Sequence, residues 1–383
     1  MGRVMLYTGY WRRPWREYFT ERHVEYLGRD LCCMVTTSNP PTEDEVGCPV
    51  YELSESHGIA SRGVRKAGRL LGRDVDLSRR RFVSILRRER PDQVLFEYGT
   101  NGSWLGDLCA ARDIPFAVHF HGFDLALDDP TYWERAHRIL PRASLLIGNS
   151  ANSARLLVEA GFPEELVKVK YMGVPVAAQP VPLPLDERLR IAFVANMFEG
   201  KGPLLCLQAF AQARTVGLEA ELHMVGDGPL LGACRDYVRV QSIVGVVFHG
   251  NLDNDAAREV MRDCHLFTQH SRRPGNNWVE GFGLSVAEAM AEGRAVVVSD
   301  YGALPELVVD GVTGALFAEN DWRAQGAAIA ELGRDSPCLA SYGVAGHRRA
   351  LELFSDVVER RRLRELLGLD AAVQQAMPRQ EVA

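Results

Sequence analysis

Short runs of β-branched and aromatic residues alternate along this chain with stretches whose apolar residues recur every three or four positions. The runs Val4–Thr8, Cys33–Thr36, Gln93–Phe96, Phe116–Phe120 and Leu145–Ile147 predict strands in the first half. A second series is expected at Arg190–Ala195, Glu221–Val225, Val246–Phe248, Leu266–Gln269 and Ala295–Ser299. Helical spacing separates them at Arg16–Leu27, Trp104–Arg112, Ala151–Ala160, Leu204–Val216, Asp255–Asp263 and Leu284–Ala291. The alternation is that of α/β domains built on parallel sheets. Between the two series lies VPVAAQPVPLPL, Val174–Leu185, whose four prolines favour an extended connection. The expected division is 1–178, 179–355 and a C-terminal segment 356–383. That segment holds an Arg-rich helix, Asp356–Leu367, and a polar tail from about Asp370.

A length of 383 residues exceeds one ordinary core and agrees with two domains. The formal net charge of −6 argues against a general nucleic-acid binder. Eight cysteines without a C-x-x-C pair read as reduced, packed thiols rather than disulfides or zinc ligands. The N-terminal run lacks the apolar core of a signal peptide, and no apolar run approaches the roughly 20 residues needed to span a bilayer. A cytoplasmic protein is expected. Arg62–Arg90 carries eleven Lys or Arg residues. It reads as a solvated basic face, as a weak peripheral contact with anionic lipid at the inner membrane surface, or as a site for an anionic acceptor.

Candidate chemistry concentrates in three segments. EGFGLSVAEAMAEGRAVVVSDYGALPELVVDGVTG, Glu280–Gly314, sets Glu280 and Glu288 eight positions apart around Gly281-Phe282-Gly283. The glycines let backbone N–H groups approach a ligand at the start of helix Leu284–Ala291. Ser285 and Glu288 also spell a capping box, worth about 1 kcal/mol of helix stability without any ligand. VANMFEGKGPLL places Lys201 and Gly202 just before a helix, where a lysine can set a point charge on phosphate; taken alone, an ordinary surface lysine beside a glycine turn is the plainer reading. VHFHGFDLALDD places His121 at a strand's carboxyl end, with His119 on the same side and Asp124 nearby.

Together these segments resemble the donor site of the retaining GT-B glycosyltransferases, the GT4-like group whose signature is E-x7-E. The resemblance implies two Rossmann-like domains facing across a cleft, an N-terminal acceptor domain and a C-terminal donor domain, with the C-terminal helix crossing back. It implies retaining transfer of a sugar from a nucleotide diphosphate sugar, as co-substrate, to a glycan, a lipid-linked acceptor or a small molecule. No cofactor and no metal are implied. Lys201, Gly202 and the N–H groups of Gly283 and Leu284 would hold the diphosphate, with Gly281 and Phe282 completing the turn. Glu280 would hold sugar hydroxyls, Glu288 the ribose, and His121 would face the donor sugar. Asn196 stands where the family usually carries an arginine, and Arg272 and Arg273 are candidate replacements. Gly9, Arg13, Tyr98 and Asp124 are weaker candidates on the acceptor side; the loop after the first strand lacks the usual glycine pair. The triplets Asp74-Val75-Asp76 and Asp253-Asn254-Asp255 lack the setting of a metal-binding pair. Two other functions stay open: a GT-B relative that epimerises or hydrolyses a nucleotide sugar, and a binding module without catalysis. A dinucleotide dehydrogenase is disfavoured, because no G-x-G-x-x-G opens a helix after either first strand.

Overall fold

The computed structural model describes residues 2–11, 18–53, 76–185, 188–275 and 278–370. Arg13 and the first part of the basic run, Arg62 to Arg73, lie outside the described residues.

Among these residues two parallel sheets carry the fold. The first has the order β3-β2-β1-β4-β5-β6-β7, from β1 (Val4–Tyr10), β2 (Leu31–Ser38), β3 (Val50–Glu52), β4 (Gln93–Glu97), β5 (Phe116–Phe120), β6 (Leu145–Gly148) and β7 (Val167–Val169). The second has the order β10-β9-β8-β11-β12-β13, from β8 (Leu189–Val194), β9 (Ala220–Val225), β10 (Val246–Gly250), β11 (Leu266–Gln269), β12 (Ala295–Asp300) and β13 (Gly314–Ala318). Each order reverses once, beside β1 and beside β8. A ligand crevice opens at such a reversal, outside the strands' carboxyl ends. The strands are apolar on both faces because helices cover both faces; Val296, Val297 and Val298 of β12 are all fully buried.

The helix Gly99–Ala110 begins five residues before the predicted Trp104. Glu97 ends a strand, and the glycine-rich residues after it form the first turn of this helix. Tertiary packing decides the matter. Gly99, Gly102 and Gly106 share one helix face, and a Cβ on them would lie 2.3, 2.5 and 2.7 Å from Phe120, Val118 and Phe116 of β5. Their poor helix propensity is the condition for close packing on the sheet.

The segment joining the sheets is tied down by a buried arginine. The fully buried Arg294 donates to the carbonyls of Cys264 (2.8 Å), Arg262 (3.1 Å), Glu292, Val181 and Pro182. The last described helix, Asp356–Leu366, lies against helix Tyr18–Leu27 of the first domain. Asp356 accepts from Arg22 and from Tyr26 Oη, Arg364 pairs with Asp30 at 2.8 Å, and Lys170 lies 3.5 Å from Glu359. No helix among the described residues is long and apolar enough to cross a membrane.

Candidate active site

The donor-side residues converge at the carboxyl ends of β8, β11 and β12. Glu199–Lys201 forms a single 3₁₀ turn, and Gly202 caps helix Pro203–Thr215 at φ +57°. A Cβ on Gly202 would lie 2.2 Å from the His270 carbonyl oxygen, so both the backbone angle and the space require glycine. Lys201 Nζ reaches Glu280 Oε2 at 2.5 Å and lies 5.4 Å from the Trp278 ring centroid. The same oxygen accepts from Ser271 Oγ at 2.7 Å and Gln269 Nε2 at 3.0 Å. Three donors on one oxygen fix the orientation of the Glu280 side chain.

Helix Leu284–Ala291 starts at Gly283, φ +93°, without a side-chain cap. The capping box does not form. Ser285 Oγ donates to Gln269 Oε1 at 3.0 Å, and Glu288 Oε1 accepts from Asn254 Nδ2 at 2.8 Å. The uncapped helix start keeps its first N–H groups available for an anion. Burial pushes the Glu288 carboxyl up to about 7, against the Asn254 hydrogen bond and the Arg258 charge, which lower it. The Phe282 side chain is core rather than site: it packs 5.6 Å from Phe354 and 5.9 Å from Tyr171, so Phe282 offers only its backbone.

Asn196 is exposed and packs its Oδ1 against Gly228. Arg272 lies beside the lysine turn. Its N–H donates to Gly200 O at 2.9 Å, its Nη1 lies 3.6 Å from Glu199, and its Nε is buried without a partner among the described residues. The Arg273 N–H donates to Glu319.

Across the cleft, His121 follows β5 and is held by a cluster that sequence reasoning missed. Its Nε2 lies 2.7 Å from Glu97 Oε2, and His23 Nδ1 lies 2.5 Å from Glu97 Oε1. His119 is fully buried with neither ring nitrogen hydrogen-bonded; its Nδ1 lies 3.4 Å from Glu97. Burial raises the Glu97 carboxyl, but the imidazoles turned on it, His23 first, outweigh burial and hold it well below the usual range. Burial drives His23 and His119 downward, toward the neutral form. His23, Glu97 and His119 are also a trio able to hold a metal, with ligand atoms mutually within 4.8 Å. A carboxylate closing an apolar strand, as in QVLFE, was a readable signal; His23, 74 positions away, carried none.

Asp124 departs from its expected role. It is fully buried, and its oxygens accept the N–H groups of His121 (2.9 Å) and Gly99 (2.6 Å). It shapes the His121 loop and presents no oxygen to an acceptor. Tyr98, at φ +71°, stands 4.8 Å from the His121 ring, and Gly9 lies against Asn101.

The two walls touch. A Cβ on Gly122 would lie 3.0 Å from Gly281 Cα, and Ser153 Oγ reaches Gly281 O at 3.3 Å. Glu306 of the second domain accepts the N–H groups of Ala151 (2.7 Å) and Asn152 (2.6 Å), at the start of helix Ala151–Glu159 in the first.

Residues 24–173 match the family described as Glycosyl transferase 4-like domain, and residues 188–335 match Glycosyl transferases group 1. The chain belongs to the GT4-like glycosyltransferases of the GT-B fold. Within that family it is 27% identical over 258 residues to the putative colanic acid biosynthesis glycosyltransferase WcaL of Salmonella typhimurium, covering 66% of this chain and 63% of that one. It is 30% identical over 190 residues to the GDP-mannose-dependent alpha-(1-6)-phosphatidylinositol monomannoside mannosyltransferase of Mycolicibacterium smegmatis, covering 48% and 49%. The matches thus span less than two thirds of these relatives. Among solved structures, Anabaena HepE in complex with UDP superposes with a TM-score of 0.75 at 20% identity, covering 96% of this chain and all of that one. Sucrose-phosphate synthase from Thermosynechococcus elongatus superposes with a TM-score of 0.74 at 18% identity, covering 96% and 98%.

Proposed function

We propose that this GT4-like glycosyltransferase moves a sugar from a nucleotide diphosphate sugar to an acceptor hydroxyl, with retention at the anomeric carbon. The observation that carries the reading is the convergence of Lys201 on Glu280 beside the uncapped start of helix Leu284–Ala291. A cation and a row of backbone N–H groups suit a leaving diphosphate. An anchored carboxylate next to them suits sugar hydroxyls, and the buried Glu288 suits the two ribose hydroxyls. Arg272 supplies the second cation in place of Asn196. With Lys201, Arg272 and the helix start on one wall, the leaving charge is offset by the chain itself, and no metal or cofactor is required. The HepE structures with UDP and with UDP-glucose, and the GDP-mannose dependence of the mycobacterial relative, support a nucleotide-sugar donor. Relatives in colanic acid and amylovoran biosynthesis support a glycan or lipid-linked acceptor.

In this reading the acceptor enters over His121 and Tyr98, and closure of the Gly122–Gly281 seam excludes water from the donor. The enzyme works in the reducing cytoplasm, where its eight free thiols persist. The exposed Arg80, Arg81, Arg87 and Arg88 of helix Leu77–Glu89 make weak contact with an anionic membrane surface. Co-sedimentation with liposomes, with and without anionic lipid, tests that contact; equal binding to both refutes it. A thermal-shift panel of UDP-, GDP-, dTDP- and ADP-sugars selects the donor, since a ligand at about a hundred times its Kd stabilises by about 2.7 kcal/mol. Product analysis with that donor, in the presence of EDTA, then tests transfer. Release of free sugar alone points to a hydrolase, and nucleotide binding without turnover points to a binding module.

A further inference from the structure

Glu280 receives its three hydrogen bonds on one oxygen, Oε2, and among the described residues none on Oε1. The cause lies behind the carboxyl group. Gln269, the last residue of β11, is fully buried, and so is Ser271. The Gln269 amide nitrogen stands 2.6 Å from Ser271 Oγ and 3.0 Å from Glu280 Oε2, and its amide oxygen stands 3.0 Å from Ser285 Oγ. An NH₂ group has two hydrogens to give, and a hydroxyl has one. The two amide hydrogens go to Ser271 and Glu280, so the Ser271 hydroxyl is left to donate its own to Glu280, at 2.7 Å. The Ser285 hydroxyl donates to Gln269 Oε1. The opposite amide orientation would set oxygen against oxygen at Glu280. The donors therefore run one way, from the start of helix Leu284–Ala291 through Gln269 to the carboxyl group. Ser271 is pinned as well, since its carbonyl accepts from Ser299 Oγ of β12 at 2.5 Å.

We propose that Gln269 is a positioning residue that turns Glu280 so that Oε2 is taken up by the protein and Oε1 meets a hydroxyl of the transferred sugar. The inference rests on the glycosyltransferase reading and deepens it. Gln269 reaches Glu280 twice, directly and by orienting the Ser271 hydroxyl. Removing the amide therefore loosens two of the three donors on Oε2 and leaves only Lys201 unaffected. Ser285 belongs to the helix whose start is offered to the diphosphate. One side chain thus ties the group that holds the sugar to the element that holds the diphosphate.

The test uses the full chain and calorimetry with two ligands, the nucleotide sugar that most raises its melting temperature and the matching nucleoside diphosphate. Gln269→Met keeps length and bulk and removes the amide. Its affinity for the nucleotide sugar is expected to fall about tenfold or more, while its affinity for the nucleoside diphosphate stays within about twofold. Ser285→Ala, at a half-buried position, is expected to lose about threefold on the nucleotide sugar alone, and Ser285→Thr, which keeps the hydroxyl, to recover it. Wild-type affinity for the nucleotide sugar in Gln269→Met overturns the proposal. So does an equal loss for both ligands, because Gln269 then supports the wall as a whole. Where Gln269→Met does not fold, the Ser285 pair decides, and no loss with alanine or no recovery with threonine overturns the proposal. If no nucleotide sugar binds the wild type, the glycosyltransferase reading fails. Ligand-free crystal structures of wild type and Gln269→Met then decide the role of Gln269: a Glu280 turned away from Ser271 in the variant upholds it, and an unmoved Glu280 overturns it.

Discussion

The two walls of the cleft are built on different principles. On the donor wall, Lys201, Glu280 and Glu288 lie in two locally legible glycine-and-helix segments, although their hydrogen-bond partners Ser271, Gln269 and Asn254 come from elsewhere in the chain. On the opposite wall, His121 depends on Glu97, His23 and His119, which arrive from β4, β5 and helix Tyr18–Leu27. The donor wall is a motif and the His121 wall is an assembly. A side chain aimed by its sequence neighbours can be read locally; one aimed by distant residues cannot.

The contrast orders the expected effects. Glu280→Ala and Lys201→Ala remove the groups proposed to hold the donor, and each is expected to lower kcat/KM by about 10²–10³-fold, read by initial rates. A loss below tenfold in both would place the chemistry elsewhere. On the opposite wall, Glu97→Gln loosens the imidazoles gathered on Glu97, His121 among them, so its loss is expected on kcat more than on nucleotide binding. An equal loss of nucleotide affinity would erase the distinction between the walls.

Glu288 gives a pH-dependent effect. In the proposed reading its ionised form accepts the ribose hydroxyls, and its carboxyl is raised to about 7 by burial. Nucleotide affinity is therefore expected to rise with pH through about 7 and to be about tenfold weaker at pH 6, in proportion to the ionised fraction. Titration calorimetry across pH checks this, and Glu288→Gln should flatten the profile. The stability of the free protein runs the other way. Between the ordinary glutamate value and about 7, the folded state holds a proton that the unfolded state has lost, so this residue's contribution falls as the pH rises.

The smallest effect belongs to the link between the walls. Glu306→Gln weakens its hold on two N–H groups at the start of helix Ala151–Glu159, a cap worth about 1 kcal/mol. The expected result is a KM increase of a few-fold with little change in melting temperature. A large drop in melting temperature would instead make Glu306 part of the scaffold.

The sheets were largely legible because buried parallel strands are dense in Val, Ile, Leu and Phe. β3 and β7 were not, since three residues carry no period, and β13 opens on a glycine that reads as a turn. On the donor wall the helix Leu284–Ala291 was read to its ends, yet its Ser285–Glu288 capping box does not form, because Gln269 at the end of β11 and Asn254 at the start of helix Asn254–Arg262 engage those side chains. Gln269 and Ser271 themselves follow an apolar strand at its carboxyl end, a polar signal that could have marked them. Asp124 was misread because a carboxylate beside His121 looks like chemistry, whereas two backbone N–H groups had already claimed it. Nothing in TERHVEYL marks His23 as a partner of Glu97.

The central claim is that the Lys201–Glu280–Glu288 wall grips an activated sugar through its diphosphate. A crystal structure with the nucleotide sugar that most raises the melting temperature tests it most directly. The account predicts the diphosphate within hydrogen-bond reach of Lys201 and the Leu284 N–H, the ribose on Glu288, and the sugar between Glu280 and His121. Ligand density away from that wall would contradict it.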